Sequence, residues 1–295
     1  EDARVRRPVM VNLVCFGLTH TYETVDVPAP EQADAFLPPY DGSGNRFDFE
    51  HPVNIGFSAG PEYNRYFKYW EHRDMLEGAP CAIEAAEARF VEVFGRRYPG
   101  MIERLNCDDA DVVLVTLGSA AGLARGVVAK LRARGVRAGM LRIRYLRPMP
   151  SALIAEALCG ARAVGVLEKD VSFGAEGTVF TNVNSALHQA GVRVPTFNFI
   201  GGLGGDDISE AQVEGIFTAL ARVSADAGDL PRVSFLGIDS PADAVPSACR
   251  PPERADAAAF RGTQSRGAGE SSRAEARFAS VTPAVPAISG TAETL

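Results

Sequence analysis

Two hydropathy patterns divide this chain. From Asp111 onward, short β-branched apolar runs alternate with segments in which apolar residues recur every three or four positions. Val112-Val-Leu-Val-Thr-Leu117 is such a run, closed by Gly118-Ser119, and it reads as a fully buried strand. Leu123, Val127, Val128 and Leu131 then form a helical stripe, with Arg125, Lys130, Arg132 and Arg134 mostly facing away and Gly135 at the expected C-cap. The same pattern predicts strands at Val136–Ile143, Ala163–Leu167 and Thr196–Ile200. Helices are expected from Ser151 as a cap to Leu158, from Thr178 to Gln189, and from Asp206-Asp207 and Ser209 to near Ser224. Four strand–loop–helix steps predict one three-layer α/β domain with a mostly parallel sheet.

Upstream the texture is different. Pro8-Val-Met-Val-Asn-Leu-Val-Cys15 reads as an interior parallel strand. Such a strand needs neighbours supplied through crossover connections, and the sequence opens at Glu1 without a Met, so an N-terminal part is expected outside this chain. Gly17 to Glu23, Val25 to Pro30, Phe36-Leu-Pro-Pro-Tyr40 and Asp41 to Asn45 make a proline-bearing connecting arm. Long irregular passages of this kind are more often functional, or laid across another domain, than mere spacer. His20, Tyr22 and Glu23 can line a site there, although tying the arm down by hydrogen bonds is the plainer role. A helix begins at Pro61, and the stripe Tyr63, Tyr66, Phe67, Trp70 is expected to be packing. A second helix is expected from Cys81 to Arg97 with Ile83, Ala86, Phe90 and Phe94 inward, ended by Pro99-Gly100. From Asp239 to Leu295 the chain is rich in Ala, Ser, Pro, Gly and Arg and loses its periodicity, which predicts a disordered tail.

Composition narrows the function classes. With 295 residues, 46% hydrophobic and 23% charged, the chain can bury a substantial core. A net charge of -7 without a long Lys/Arg run argues against nucleic acid as a partner. No apolar stretch approaches the length needed to cross a bilayer, so no membrane role is expected. Cys15, Cys81, Cys107, Cys159 and Cys249 lack C-x-x-C or C-x-H spacing, which disfavours zinc, an iron–sulfur cluster or a disulfide framework. Reduced, largely core thiols in a cytoplasmic protein are the expectation.

Ligands of open α/β sheets bind at the strands' carboxyl ends. The loops expected there carry Gly118 and Ser119, Arg142 to Arg147, Glu168 to Gly177 with Gly174 within it, and Gly201 to Asp207 with Gly202, Gly204 and Gly205. Glycine amides at helix N-termini can cradle a phosphate or meet another subunit. The dinucleotide fingerprint fails, since there is one Gly-Ser turn and the second strand ends in Arg142-Ile-Arg144. No P-loop is present either. Glu168 is the best candidate for a single acid with a role; its plainer reading is an ion pair with Arg142 or Arg147. No catalytic constellation and no metal set is legible.

Seven motifs in order carry a resemblance: Pro8-Val-Met-Val-Asn12, Thr19-His-Thr-Tyr-Glu23, Phe36-Leu-Pro-Pro-Tyr40, Ala59-Gly-Pro-Glu-Tyr63, Leu141-Arg-Ile-Arg-Tyr-Leu-Arg-Pro148, Ser172-Phe-Gly-Ala-Glu-Gly177 and Gly202-Leu-Gly-Gly-Asp-Asp207. Over Pro8 to about Leu220 the chain resembles the α subunit of pyruvate:ferredoxin oxidoreductase. The resemblance implies a thiamine diphosphate enzyme converting a 2-oxoacid, coenzyme A and oxidised ferredoxin or flavodoxin to acyl-CoA, carbon dioxide and reduced acceptor. It implies residues 1–16 as the last strand of a pyrimidine-binding domain, 17–107 as arm and helices, 108–238 as a transketolase C-terminal-like domain and 239–295 as tail. The family's thiamine-activating glutamate falls on no residue here, and iron–sulfur clusters are expected on partner domains or subunits. Asp206 stands where the family more often has a base, and Thr19 where it has Ser. The isolated chain is expected to be inactive and to hold no cofactor itself. The specific 2-oxoacid is left open, and the alternative is a stand-alone module binding a nucleotide or coenzyme A through the Gly118, Gly174 and Gly204 loops.

Overall fold

The computed structural model describes residues 5, 7–14, 16–37, 39, 48–52, 58–223 and 230–238. The predicted tail, Asp239–Leu295, lies outside the described residues. Two short helices, α1 (Phe16–Thr19) and α2 (Pro30–Phe36), punctuate the arm. Next come α3 (Pro61–Arg73), a π-helical turn at Asp74–Gly78, and α4 (Ala79–Phe94). The α/β domain follows as β1 (Ile102–Leu105), β2 (Val112–Leu117), α5 (Ala120–Ala133), β3 (Ala138–Ile143), α6 (Ser151–Leu158), β4 (Ala163–Glu168), α7 (Thr178–Gln189), β5 (Thr196–Ile200), α8 (Glu210–Ala221) and β6 (Val233–Phe235).

The sheet order is β1-β3-β2-β4-β5-β6, with only β1 antiparallel. Strand parity splits the core. Val113, Val115, Val164 and Val166 face α6 and α7, whereas Val112, Leu114, Leu167 and Phe199 face α5 and α8. The three-layer expectation therefore holds. The chain leaves β2 toward β3 and returns past β2 to β4, which puts a topological switch between β2 and β4. The Gly118 and Glu168 loops flank it.

Several expectations are corrected. No strand forms over Pro8–Val14, where Val9, Met10, Val11 and Leu13 are exposed; a strand needs a partner for its backbone groups, and this stretch has none among the described residues. The α3 aromatics are not packed: Tyr63, Tyr66, Phe67 and Trp70 are half exposed or more, and α3 buries no residue. The next helix stops at Phe94, where Gly95 turns left-handed (φ 64°) before Pro99-Gly100 is reached; Ala86 is exposed, and Ile83, Phe90 and Phe94 are half-buried. Ser151 occupies the first helical position of α6, and Pro150 the cap. Two of three described thiols, Cys81 and Cys159, are exposed, because each sits on the solvent side of its helix or just past its end; Cys107 is buried.

Candidate functional site

The β4 strand ends in a buried acid. Val164 and Val166 point toward α6 and α7, and the two-residue period carries Glu168 into the same row, beneath the start of α7. Glu168 is 2% exposed. Its Oε2 accepts from the Val179 amide at 2.8 Å, and its Oε1 accepts from the Phe180 amide at 3.1 Å and from Asn198 Nδ2 at 2.7 Å. Asn198, fully buried on β5, accepts from the Gly177 amide at 2.8 Å. The Thr178 amide donates to Asp170 at 3.0 Å. Four successive amides at the head of α7 thus end on the protein's own side chains.

Space and charge explain why these residues are used. A Cβ on Gly177 would lie 2.0 Å from Glu168 Oε1, so the carboxylate occupies the room a side chain would fill. The positive end of α7 favours the anion. Burial nevertheless pushes the Glu168 carboxyl above the usual carboxylate range, opposed by the Val179, Phe180 and Asn198 hydrogen bonds. The expected pairing with Arg142 or Arg147 does not occur: Arg142 faces Glu103 at 3.6 Å and Arg147 reaches Asn182 at 3.5 Å. Parity decides this for Arg142, which lies on the α5 side of β3, opposite to the Glu168 row.

The rest of that loop is fastened from inside. Ser172 Oγ and Thr178 Oγ1 share a hydrogen bond at 3.1 Å, Ala175 donates to the Ser172 carbonyl at 2.8 Å, and Glu176 pairs with Arg232 at 2.7 Å. At its tip Phe173 is 97% exposed, and Gly174 beside it has open space where a side chain would stand. The β5 loop meets the β4 loop where Gly202 backs onto Lys169 and where the Gly201 amide donates to the Glu168 carbonyl at 3.0 Å. Gly204 and Gly205 are exposed with open space around them. The N-terminus of α8 is closed by Ser209 and Gln212, whose side chains cap each other's amides at 3.2 and 2.8 Å.

The remaining candidates are not gathered at this site. Gly118 turns left-handed with Val14 of the segment before the arm against it, and Ser119 heads α5 without capping it. His20 is exposed, hydrogen-bonded to Thr19 Oγ1 at 2.8 Å and edge-on to Phe16. Tyr22 and Glu23 are exposed. Asn198 was missed in the sequence; its signal was a lone amide inside the apolar run Thr-Phe-Asn-Phe-Ile. No group of three His, Cys, Asp or Glu among the described residues is placed to hold a metal ion.

Residues 110–213 match the family model for pyruvate:ferredoxin oxidoreductase core domain II. That match covers most of the α/β domain. Pyruvate synthase subunit PorA of Methanothermobacter thermautotrophicus is 38% identical over 216 residues, which are 73% of this chain and 55% of PorA. Ketoisovalerate oxidoreductase subunit VorA of Pyrococcus abyssi is 36% identical over 219 residues, 74% of this chain and 55% of VorA. The chain spans about half the length of these relatives. The 2-oxoglutarate:ferredoxin oxidoreductase of Magnetococcus marinus aligns over 55% of this chain and 24% of its own, at 18% identity and a TM-score of 0.36. In core domain II terms, the Glu168–Asn198–Gly177 network lies inside the matched segment and the arm lies before it.

Proposed function

We propose that this chain is an assembly part of a thiamine diphosphate-dependent 2-oxoacid:ferredoxin oxidoreductase, and that the chemistry is carried by other parts of the complex. In this reading the complete cytoplasmic enzyme oxidatively decarboxylates a 2-oxoacid to acyl-CoA and passes electrons through iron–sulfur clusters to ferredoxin or flavodoxin. Residues 17–107 are the arm, and 108–238 the transketolase C-terminal-like core. Residues 1–16 pair with a pyrimidine-binding domain, which accounts for the exposed Val9, Met10, Val11 and Leu13.

One observation carries the proposal. The amides that would receive a phosphate at α7 are already taken by Glu168, Asp170 and Asn198, while Phe173 stands bare on the loop they hold rigid. A loop whose helix-head amides are satisfied and whose one large apolar side chain is exposed suits a partner surface better than a ligand.

Among the described residues, neither the thiols nor the head of α7 suits the cofactors of such an enzyme. A cluster needs gathered thiolates, whereas Cys107 is buried beneath the sheet edge, its thiol donating to the Met140 carbonyl at 3.2 Å and pushed up to about 11 by burial. A thiamine diphosphate site needs metal donors beside free amide donors, and the first amides of α7 are already taken. The near-equal likeness to pyruvate and ketoisovalerate subunits leaves the substrate to be set elsewhere in the complex.

The test is direct. The purified chain, given pyruvate or ketoisovalerate with coenzyme A and thiamine diphosphate, is expected not to reduce viologen, and to bind neither NAD, ATP nor coenzyme A with micromolar affinity by calorimetry. Viologen reduction overturns the proposal; a micromolar nucleotide favours the stand-alone module.

A further inference from the structure

Away from the carboxyl-end loops, α2, α4, the Tyr98–Gly100 turn and the residues after β3 line an open pocket of about 170 Å³. Its lining includes Phe36, Glu87, Phe90, Tyr98, Arg144 and Tyr145. Most of the wall is aromatic. Phe36 meets Phe90 edge-on at 5.5 Å, Phe90 leans on Tyr98 at 5.4 Å, and the Arg144 guanidinium lies 5.8 Å from the ring centres of both Tyr98 and Tyr145. The remaining wall carries charge that is already cancelled. Arg144 Nη1 donates to Glu87 Oε1 at 3.1 Å and also to the Gly100 carbonyl. Side-chain exposures of 21% and 24% let solvent, or a guest, reach this pair.

Size, charge and hydrogen-bonding capacity each restrict the guest. A cavity of roughly 150 Å³ accepts one benzene ring, so this one takes a single six-membered ring. A charged guest would lose its hydration and meet a pair with no net charge to compensate it, so the guest is neutral. Glu87 Oε2 accepts no hydrogen bond among the described residues, and the guanidinium has further N–H groups, so the guest carries a hydroxyl that both donates and accepts. A phenol meets all three conditions. The space is well below the roughly 300 Å³ at which pockets for whole small molecules begin, so useful affinity must come from a chain to which the ring is attached.

We propose that this cavity is a socket for one tyrosine side chain presented by a partner polypeptide. This rests on the assembly reading above and names one of its contacts. The ring lies among Phe36, Phe90 and Tyr98, and its hydroxyl donates to Glu87 Oε2 while accepting from Arg144. Tyrosine suits such a position, because a large rigid ring with a polar tip loses little conformational freedom on docking.

The probe for the socket is p-cresol, titrated into the full chain and followed by the NMR resonances of Tyr98 and Tyr145. Saturable shifts at millimolar concentration are expected. Benzoate should give none, and Tyr98→Ala should weaken p-cresol by roughly tenfold. For the partner, Ala86→Trp fills the cavity from an exposed position of α4, so the chain keeps its melting temperature. Co-expressed with the remaining oxidoreductase subunits, this variant should associate roughly tenfold or more weakly than wild type. Absence of p-cresol shifts overturns the socket, as does wild-type association of Ala86→Trp. If the wild-type chain itself fails to associate, the assembly reading fails instead.

Discussion

Replacing Glu168 by alanine withdraws one acceptor group from three buried donors at once: the Val179 and Phe180 amides and the Asn198 carboxamide. A buried donor left without a partner costs about 1–3 kcal/mol. The three donors share one site and do not add independently, so a total of about 3–5 kcal/mol is expected. In a domain of this size 1 kcal/mol moves the melting midpoint by roughly 2–4 °C, which places Glu168→Ala roughly 6–20 °C below wild type. Circular dichroism melts give that figure, and amide exchange should show the α7 N-terminus opening first. Glu168→Gln should fall between the two, because its NH₂ faces the Val179 N–H where the carboxylate oxygen accepted at 2.8 Å. A pH series adds a sign. Burial, the largest influence, raises the folded-state value, so the native chain holds this proton more tightly than the unfolded chain. The glutamate's contribution is full below the ordinary glutamate value and is lost as pH rises through the raised value. The wild-type advantage over Glu168→Gln should therefore shrink as the pH rises from below the ordinary glutamate value through the raised one. An alanine variant that melts with wild type, or an advantage that grows with pH, would refute the reasoning.

Two further predictions concern the same domain. Gly177→Ala drives a Cβ to 2.0 Å from Glu168 Oε1 and should destabilise by about 1–3 kcal/mol; in a Glu168→Ala background the added loss should be smaller, and equal losses would show that the two residues do not compete for space. Near pH 8 iodoacetamide should label Cys81 and Cys159 in the native chain and spare Cys107, whose thiol burial pushes up to about 11; peptide mass spectrometry with equal labelling of all three would contradict the buried placement.

The parts of this fold that the sequence made legible are those whose cause is local. Thr178–Gln189 and Thr196–Ile200 were read to the residue, because periodicity and apolar runs are written along the chain. Strands β1 and β6 were missed. They are four and three residues long, β1 carries Glu103 and Arg104, and their pairing partners, not their own residues, make them strands. The opposite error at Pro8–Val14 has the same origin: an apolar run signals strand only where another strand adjoins it. At the site, Glu168 was singled out as an acid, but its partners were sought among arginines. Backbone amides eleven and twelve residues later leave no mark in a sequence, and strand parity excluded Arg142. The α3 stripe was assigned to packing because helical spacing shows which residues share a face without showing what covers it.

The assembly role rests most directly on the rigid loop that presents Phe173. Phe173 is 97% exposed and its loop is held by other residues, so Phe173→Asp leaves the fold of the chain intact. The measurement is sedimentation velocity of the complete oxidoreductase carrying Phe173→Asp or an aspartate inserted at Gly204, beside melts of each isolated chain. The account predicts unchanged melts, a dissociated complex, and activity lost in proportion to the dissociated fraction. An intact complex with full occupancy that has lost only its affinity for coenzyme A would contradict it and make these loops a ligand site.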